Sequence, residues 1–213
     1  MTDLFPRGLA GIIFDCDGVM LDSREANCHF YNCVLEYFGL PRMTPEQEAF
    51  AHMGAARQVL EHLLPPECLA RLGEVFERAV SYRNDILPRC TLMPGFEAFA
   101  GEMHARGLGL AVSTNRTAEG MQEVLDYFHL PQIFTPVMTV SNATPKPSPD
   151  APLAVCRAWR LEPVQVLMVG DSPSDRQAAL AAGVRFCAFG NSDLEGDIKV
   201  ADFAGLRSAL SLS

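Results

Sequence analysis

Six side chains of this sequence are of types and at places that would do chemistry together: the carboxylates of Asp15, Asp17, Asp171 and Asp175, the hydroxyl of Thr114 and the ammonium of Lys146. Each stands just beyond a short apolar run, in the turn or loop that follows it. Four convergent carboxylates repel one another and any anion, so a hard cation is implied. All-oxygen ligation with one or two carboxylates is how Mg²⁺ is usually held. Helix starts after Asn115 and near Ser174 would add backbone N–H groups suited to a phosphate. A carboxylate beside Mg²⁺ can attack phosphorus to give an aspartyl-phosphate. A second carboxylate two residues on can give a proton to the leaving oxygen. Lys146 and the Thr114 hydroxyl would hold the phosphoryl oxygens, where charge must be stabilised.

These groups need a scaffold that brings them to one edge. Leu9 to Phe14 is an apolar, isoleucine-bearing run that ends in Asp15, Asp17 and Gly18, the pattern of a strand buried in a parallel sheet. From about Ser23 to Asp85 no strand is legible. Ala26, Phe30, Cys33, Val34, Tyr37 and Phe38 recur at helical spacing until Gly39, Thr44-Pro45 opens a second helix, and Leu69 to Val80 marks another after Pro65-Pro66. From Pro94 onward, helix and strand alternate. A helix from Gly95 to Arg106 precedes a strand over Leu108 to Ser113, and Asn115 is placed to cap the next helix. Strands follow near Val137 to Val140, over Val166 to Val169 and over Arg185 to Phe189, with helices ending near Trp159 and Ala182 between them. Strands separated by single helices require right-handed crossovers and a doubly wound parallel sheet, which binds ligands at the carboxyl ends of its strands. The expected fold is therefore α/β. Residues 1–19 and 88–213 form the core, and residues 20–87 form a helical cap inserted over the carboxyl edge.

Composition limits the partners. At 213 residues, with 48% hydrophobic and 20% charged residues, the chain suits one core with a small insertion and is not a disordered polymer. Seventeen basic against 26 acidic residues give a net charge of −9, which argues against a nucleic-acid surface. No run of about 18 apolar residues and no secretory leader is legible, so no membrane partner is expected and the cytoplasm is the expected location. Seven cysteines in neither CxxC pairs nor a zinc cluster read as reduced thiols.

FDCDGVMLDS at 14–23, AVSTN at 111–115, Lys146 in PKPSPD and VGDSPSD at 169–175 resemble, in order and spacing, the four motifs of the haloacid dehalogenase (HAD) superfamily. The helical insertion directly after the first motif resembles the C1 cap of the phosphoglycolate phosphatase and β-phosphoglucomutase branch. The resemblance implies that Asp15 is the nucleophile and Asp17 the general acid/base, with Thr114, the Asn115 backbone N–H and Lys146 on the phosphate. It implies Mg²⁺ held by the Asp15 carboxylate, the Asp17 carbonyl and the Asp171 carboxylate, with Asp175 as ligand or supporting partner. In some capped relatives an arginine three residues after a cap-loop glycine reaches the distal end of the substrate. Gly54 to Arg57 has that spacing, and His52 lies beside it. Taken singly, each feature has a plainer reading: Asp-Gly as a turn, Lys146 as a solvated loop lysine, Asp175 as a first-turn acid, Arg57 and His52 as helix surface. The four motifs in register favour the chemical one for Asp15, Asp17 and Lys146, leave Asp175 open between the two, and do not reach Arg57 and His52, for which the surface reading is preferred.

The implied activity is Mg²⁺-dependent hydrolysis of a small-molecule phosphomonoester, a sugar phosphate or a phosphoglycolate-like metabolite, through an aspartyl-phosphate. A phosphomutase of the β-phosphoglucomutase type would use the same groups. A receiver-like phospho-acceptor module would also cluster aspartates, a hydroxyl and a lysine, but it has neither a helical insertion nor a use for Asp17.

Overall fold

The computed structural model of the chain describes residues 4–53 and 56–210. In chain order its strands are β1 (Gly11–Phe14), β2 (Leu21–Asp22), β3 (Thr91–Leu92), β4 (Gly109–Ser113), β5 (Phe134–Met138), β6 (Val166–Gly170), β7 (Arg185–Phe189) and β8 (Ile198–Val200). Its helices are α1 (Arg24–Tyr37), α2 (Pro45–Met53), α3 (Ala56–Leu63), α4 (Pro66–Leu69), α5 (Leu72–Arg78), α6 (Phe96–Ala105), α7 (Ala118–Tyr127), α8 (Asp150–Trp159), α9 (Pro173–Ala182) and α10 (Phe203–Ala209). Two compact units result: residues 1–21 with 92–213, and residues 22–91. The short pair β2–β3 carries the chain out of the first unit and back. Among the described residues no helix is long and apolar enough to cross a membrane.

The first unit holds a six-stranded sheet in the order β5-β4-β1-β6-β7-β8, with every neighbouring pair parallel. This is the expected doubly wound α/β sheet. The strand order reverses beside β1, so the crevice where such sheets bind ligands opens there. Every residue of β1 and β6 is buried, which is why both read as unbroken apolar runs. On one face Phe14 meets Phe96, Phe99 and Phe134 edge-to-face and Phe203 at a tilt, with ring centroids 5.6–6.4 Å apart. On the other face Ile13, Ala111, Met168 and Phe186 pack under α8 and α9 through Val155 and Ala179. Trp159 lies across this side. A Cβ on Gly11 or Gly109 would come within 2.3 or 2.9 Å of its ring, so the two glycines let the indole sit on the backbone. Its Nε1–H donates to the Thr135 carbonyl at 2.7 Å.

In this unit several sequence expectations shift. β5 begins three residues before the expected start at Val137 and includes Pro136, tolerable because β5 is an edge strand that needs no donor there. The cap of α7 is Thr117, whose Oγ1 accepts from Gly120 N at 3.2 Å, rather than Asn115. β8 and α10 extend the unit beyond the last expected strand, and α10 delivers Phe203 to the aromatic face.

The second unit, residues 22–91, is helical apart from the strand ends at its two borders. α1 stops where the sequence placed Gly39, at a φ of +68°. Gly39 N donates to Glu36 O and Leu40 N to Leu35 O, a Schellman closure. Asn32 Oδ1 accepts from Met43 N at 2.9 Å, and Tyr37 donates to Glu74 at 3.1 Å. The helix expected across Leu69 to Val80 is two, α4 and α5, parted at Ala70-Arg71.

Candidate active site

The register of the sheet brings the motifs together. Phe14 pairs with Val112 on one side and Val169 on the other, so Asp15, Thr114 and Asp171 leave adjacent strands at one edge. Asp15 continues the ladder, its N–H donating to Val169 O at 2.9 Å, and its side chain is buried. Lys146 arrives from the loop after β5 and is buried too. Its Nζ donates to Asp15 Oδ1 at 2.6 Å, to Asp175 Oδ1 at 2.5 Å and to the Ser113 carbonyl at 3.0 Å. All three of its donors are therefore spent.

Asp175 has no exposed surface. It is the third residue of α9 in a reciprocal cap: Ser172 Oγ accepts from Asp175 N, while Asp175 Oδ2 accepts from Ser172 N at 3.2 Å and Ser172 Oγ at 2.6 Å. Pro173 at the first helical position needs no donor. Asp175 is thus a helix-start acid, as one sequence reading has it, and also the second anchor of Lys146. Asp171 stands at the end of β6 over Gly18, whose φ is +76°. Its own carbonyl accepts from Asn191 Nδ2 at 2.9 Å. The Thr114 hydroxyl, nearly buried, accepts from Arg116 N at 3.2 Å.

Three residues at this edge were not singled out in their observed roles. The Asn115 side chain clamps the backbone of the lysine loop, accepting from Lys146 N at 2.8 Å and donating to Lys146 O at 3.3 Å. Asn191 lies just beyond the carboxyl end of β7, one strand out from β6. Arg116 donates through Nε to Asp17 Oδ2 at 2.8 Å and through Nη2 to Asp17 Oδ1 at 2.6 Å. Burial alone would pull this guanidinium down, but Asp17 leads the charges that hold it above its ordinary range. Cys16, between the two aspartates, is fully buried, and burial pushes its thiol up, so it is a core residue. Arg57 lies on the exposed side of α3, paired with Glu61 at 2.8 Å one turn on. The His52 side chain and Gly54 lie outside the described residues.

Carboxylate oxygens of Asp15, Asp171 and Asp175 all fall within 4.8 Å of one another. Three carboxylates face one ammonium, an excess of two negative charges, whereas Asp17 is balanced by Arg116. The charge imbalance bears on the protonation of the cluster. Burial first, then Asp175, pushes Asp171 up to about 7, and the same two causes raise Asp15 well above the carboxylate range against the pull of Lys146. Lys146, which burial would lower, is held high by Asp15 and Asp175. An all-oxygen donor set short of two positive charges fits a hard dication such as Mg²⁺.

A parallel sheet whose carboxyl edge carries this acidic cluster around one buried lysine is built for chemistry on a phosphoryl group, and its relatives place it among hydrolases of the phosphatase class. Residues 12–189 match the family described as haloacid dehalogenase-like hydrolase, and the chain belongs to that family. It is 29% identical over 214 residues to a phosphoglycolate phosphatase of Chromobacterium violaceum, covering 94% of this chain and 96% of that one. Among solved structures it resembles a HAD-superfamily hydrolase, subfamily IA, variant 1, from Geobacter sulfurreducens, with 35% identity, a TM-score of 0.79 and 95% and 96% of the two chains covered. A predicted phosphoglycolate phosphatase from Haemophilus somnus, at 23% identity and a TM-score of 0.76 over 94% and 97%, shares the fold. Membership in a hydrolase family removes the receiver-like reading.

Proposed function

We propose that this chain is a Mg²⁺-dependent phosphatase of the cytoplasm that hydrolyses a small phosphorylated metabolite through an aspartyl-phosphate on Asp15. The observation that carries the reading is the buried Asp15 carboxylate, held at the sheet edge by Lys146 with the oxygens of Asp171 and Asp175 gathered beside it. An Asp15 oxygen attacks phosphorus, the bond from phosphorus to the ester oxygen breaks, and Asp17, which must take up a proton before this step while Arg116 holds it, gives that proton to the departing alkoxide. Water then attacks the same phosphorus, its proton passes to Asp17, and inorganic phosphate leaves with Asp15 restored. The Thr114 hydroxyl and the Asn115 N–H would donate to the non-bridging oxygens, the buried Lys146 ammonium would stabilise them by its charge while its donors stay on Asp15, Asp175 and the Ser113 carbonyl, and the Asn115 side chain keeps the lysine loop in place. Mg²⁺ would be held by the carboxylates of Asp15 and Asp171 and the Asp17 carbonyl, next to Asp175, and it supplies positive charge to the carboxylate cluster and to the phosphoryl oxygens.

The substrate class rests on resemblance to phosphoglycolate phosphatases, so a phosphoglycolate-like acid or a sugar phosphate is the expected ester. On the resemblance alone, Arg57 and His52 are proposed to meet its distal end. A panel of about a hundred phosphate esters, assayed with Mg²⁺ against wild type and Asp15→Asn, tests the reading. One or a few small esters should turn over with wild type and none with the variant. Turnover of the same esters by Asp15→Asn, or undiminished turnover in excess EDTA, would overturn it.

A further inference from the structure

We infer that Arg116 is the positioning residue for Asp17, an inference that rests on the phosphatase reading above. Asp17 is three residues past the end of β1, in the turn that follows it, with its side chain about a third exposed. Left to itself, a carboxylate there would sample several rotamers, and each wrong orientation withdraws it from the leaving oxygen. The guanidinium removes that freedom. Two nearly parallel N–H donors, Nε and Nη2, meet the two oxygens of the one carboxylate at 2.8 and 2.6 Å and fix both its position and its plane.

Arg116 is equipped to hold its own place. Its backbone N–H donates to Thr114 Oγ1, its carbonyl accepts from Val140 N at 3.1 Å, and its side chain is 14% exposed. It is therefore not a solvated rim arginine, whose ion pair would be loose. The pair ties the loop after β1 to the loop after β4, so the acid/base and the phosphate-holding threonine are set in one frame. A lysine, with a single rotatable ammonium, would reach Asp17 without fixing its plane.

The test compares an alkyl phosphate, whose alkoxide needs a proton as it leaves, with p-nitrophenyl phosphate, whose phenolate does not. For Arg116→Met, kcat/KM for the alkyl ester should fall about 10²-fold, the lower end of a general-acid contribution, while that for p-nitrophenyl phosphate stays within about threefold. In an Asp17→Asn background the same change should cost the alkyl ester less than about threefold, because a residue acting through Asp17 has nothing left to position. Arg116→Lys should lie between wild type and Arg116→Met for the alkyl ester only, and it carries the comparison if the methionine variant does not fold. Equal losses on both esters, an undiminished loss in the Asp17→Asn background, or wild-type alkyl turnover by Arg116→Lys would overturn the inference. Wild type and Asp15→Asn run alongside: if wild type cleaves neither ester, or Asp15→Asn cleaves both, the phosphatase reading itself fails and takes the inference with it.

Discussion

Asp171 lies so close over Gly18 that a Cβ on Gly18 would stand 1.9 Å from Asp171 Oδ2. Gly18 also has a φ of +76°, where an L side chain is strained. One glycine thus serves both the turn after the DxD segment and the seat of the carboxylate from the neighbouring strand. Gly18→Ala is expected to destabilise the protein by about 1–2 kcal/mol from the backbone alone, with a further loss from the contact. Displacing Asp171 should weaken Mg²⁺ binding by about 10–100-fold, the range for residues that orient metal ligands. Urea denaturation and Mg²⁺ titration calorimetry check both; an alanine variant that binds Mg²⁺ as wild type does would show that Asp171 is not seated by Gly18.

The raised carboxylates set a pH dependence. In the unfolded chain Asp171 titrates near the ordinary carboxylate value of about 4, and in the folded, metal-free protein burial and Asp175 push it up to about 7. The folded state binds more protons between those values. The contribution of Asp171 is therefore fully present below about pH 4 and is lost as pH rises through 7; Asp15 acts in the same direction. Mg²⁺ binds the ionised form, so the rise in melting temperature that it produces should grow from pH 5 to pH 8, and Asp171→Asn should flatten that growth. A magnesium effect that shrinks with pH would contradict the assignment.

How much of this was legible follows from what each feature depends on. Asp15, Thr114, Lys146, Asp171 and Asp175 could be placed at one edge because β1, β4 and β6 announce themselves as short apolar runs and a parallel sheet gathers whatever follows them. β8 did not announce itself: Ile198-Lys199-Val200 is three residues long with only Ile198 buried, too short for any period. With β8 went α10 and the contact of Phe203 with Phe14. Asn191 follows the end of β7 and is open to the same strand-end argument. The clamp of Asn115 on the Lys146 backbone was not, since it joins loops 31 residues apart whose approach no local pattern encodes. Arg116 reads in isolation as one more charged loop residue, and only the fold shows it facing Asp17.

The cysteines divide by burial. Cys16, Cys90, Cys156 and Cys187 are buried, and Cys28, Cys33 and Cys68 are partly exposed; all seven are free thiols. Burial pushes Cys187 up to about 12 and Cys16 higher still. The thiolate is the reactive form, so iodoacetamide at pH 7.5 should alkylate Cys28, Cys33 and Cys68 in the native protein and spare the other four until denaturant is added. Peptide mass mapping reads the outcome. Rapid native labelling of Cys16 would mean that the turn between Asp15 and Asp17 opens, against the packing described.

The decisive prediction concerns Asp17, because it separates catalysis from mere phosphate binding. An alkyl alkoxide is a poor leaving group, and a proton delivered as the P–O bond breaks is worth about 10² to 10⁴ in rate. Nitrophenolate leaves without it. Asp17→Asn keeps the backbone carbonyl proposed as a metal ligand, so Mg²⁺ affinity should survive. It costs Arg116 a charged partner but leaves it an amide oxygen to donate to, so the loop is expected to hold. Phosphorylation of Asp15 by p-nitrophenyl phosphate should then be only mildly slowed, whereas hydrolysis of the aspartyl-phosphate, which needs a base to activate water, should stall. Stopped-flow absorbance is expected to show a burst of about one nitrophenolate per active site followed by slow turnover, and alkyl esters should be nearly inert. If the variant gives no burst and loses both kinds of ester alike, Asp17 organises the site without moving a proton. The fork from Arg116 would then be holding a structural carboxylate.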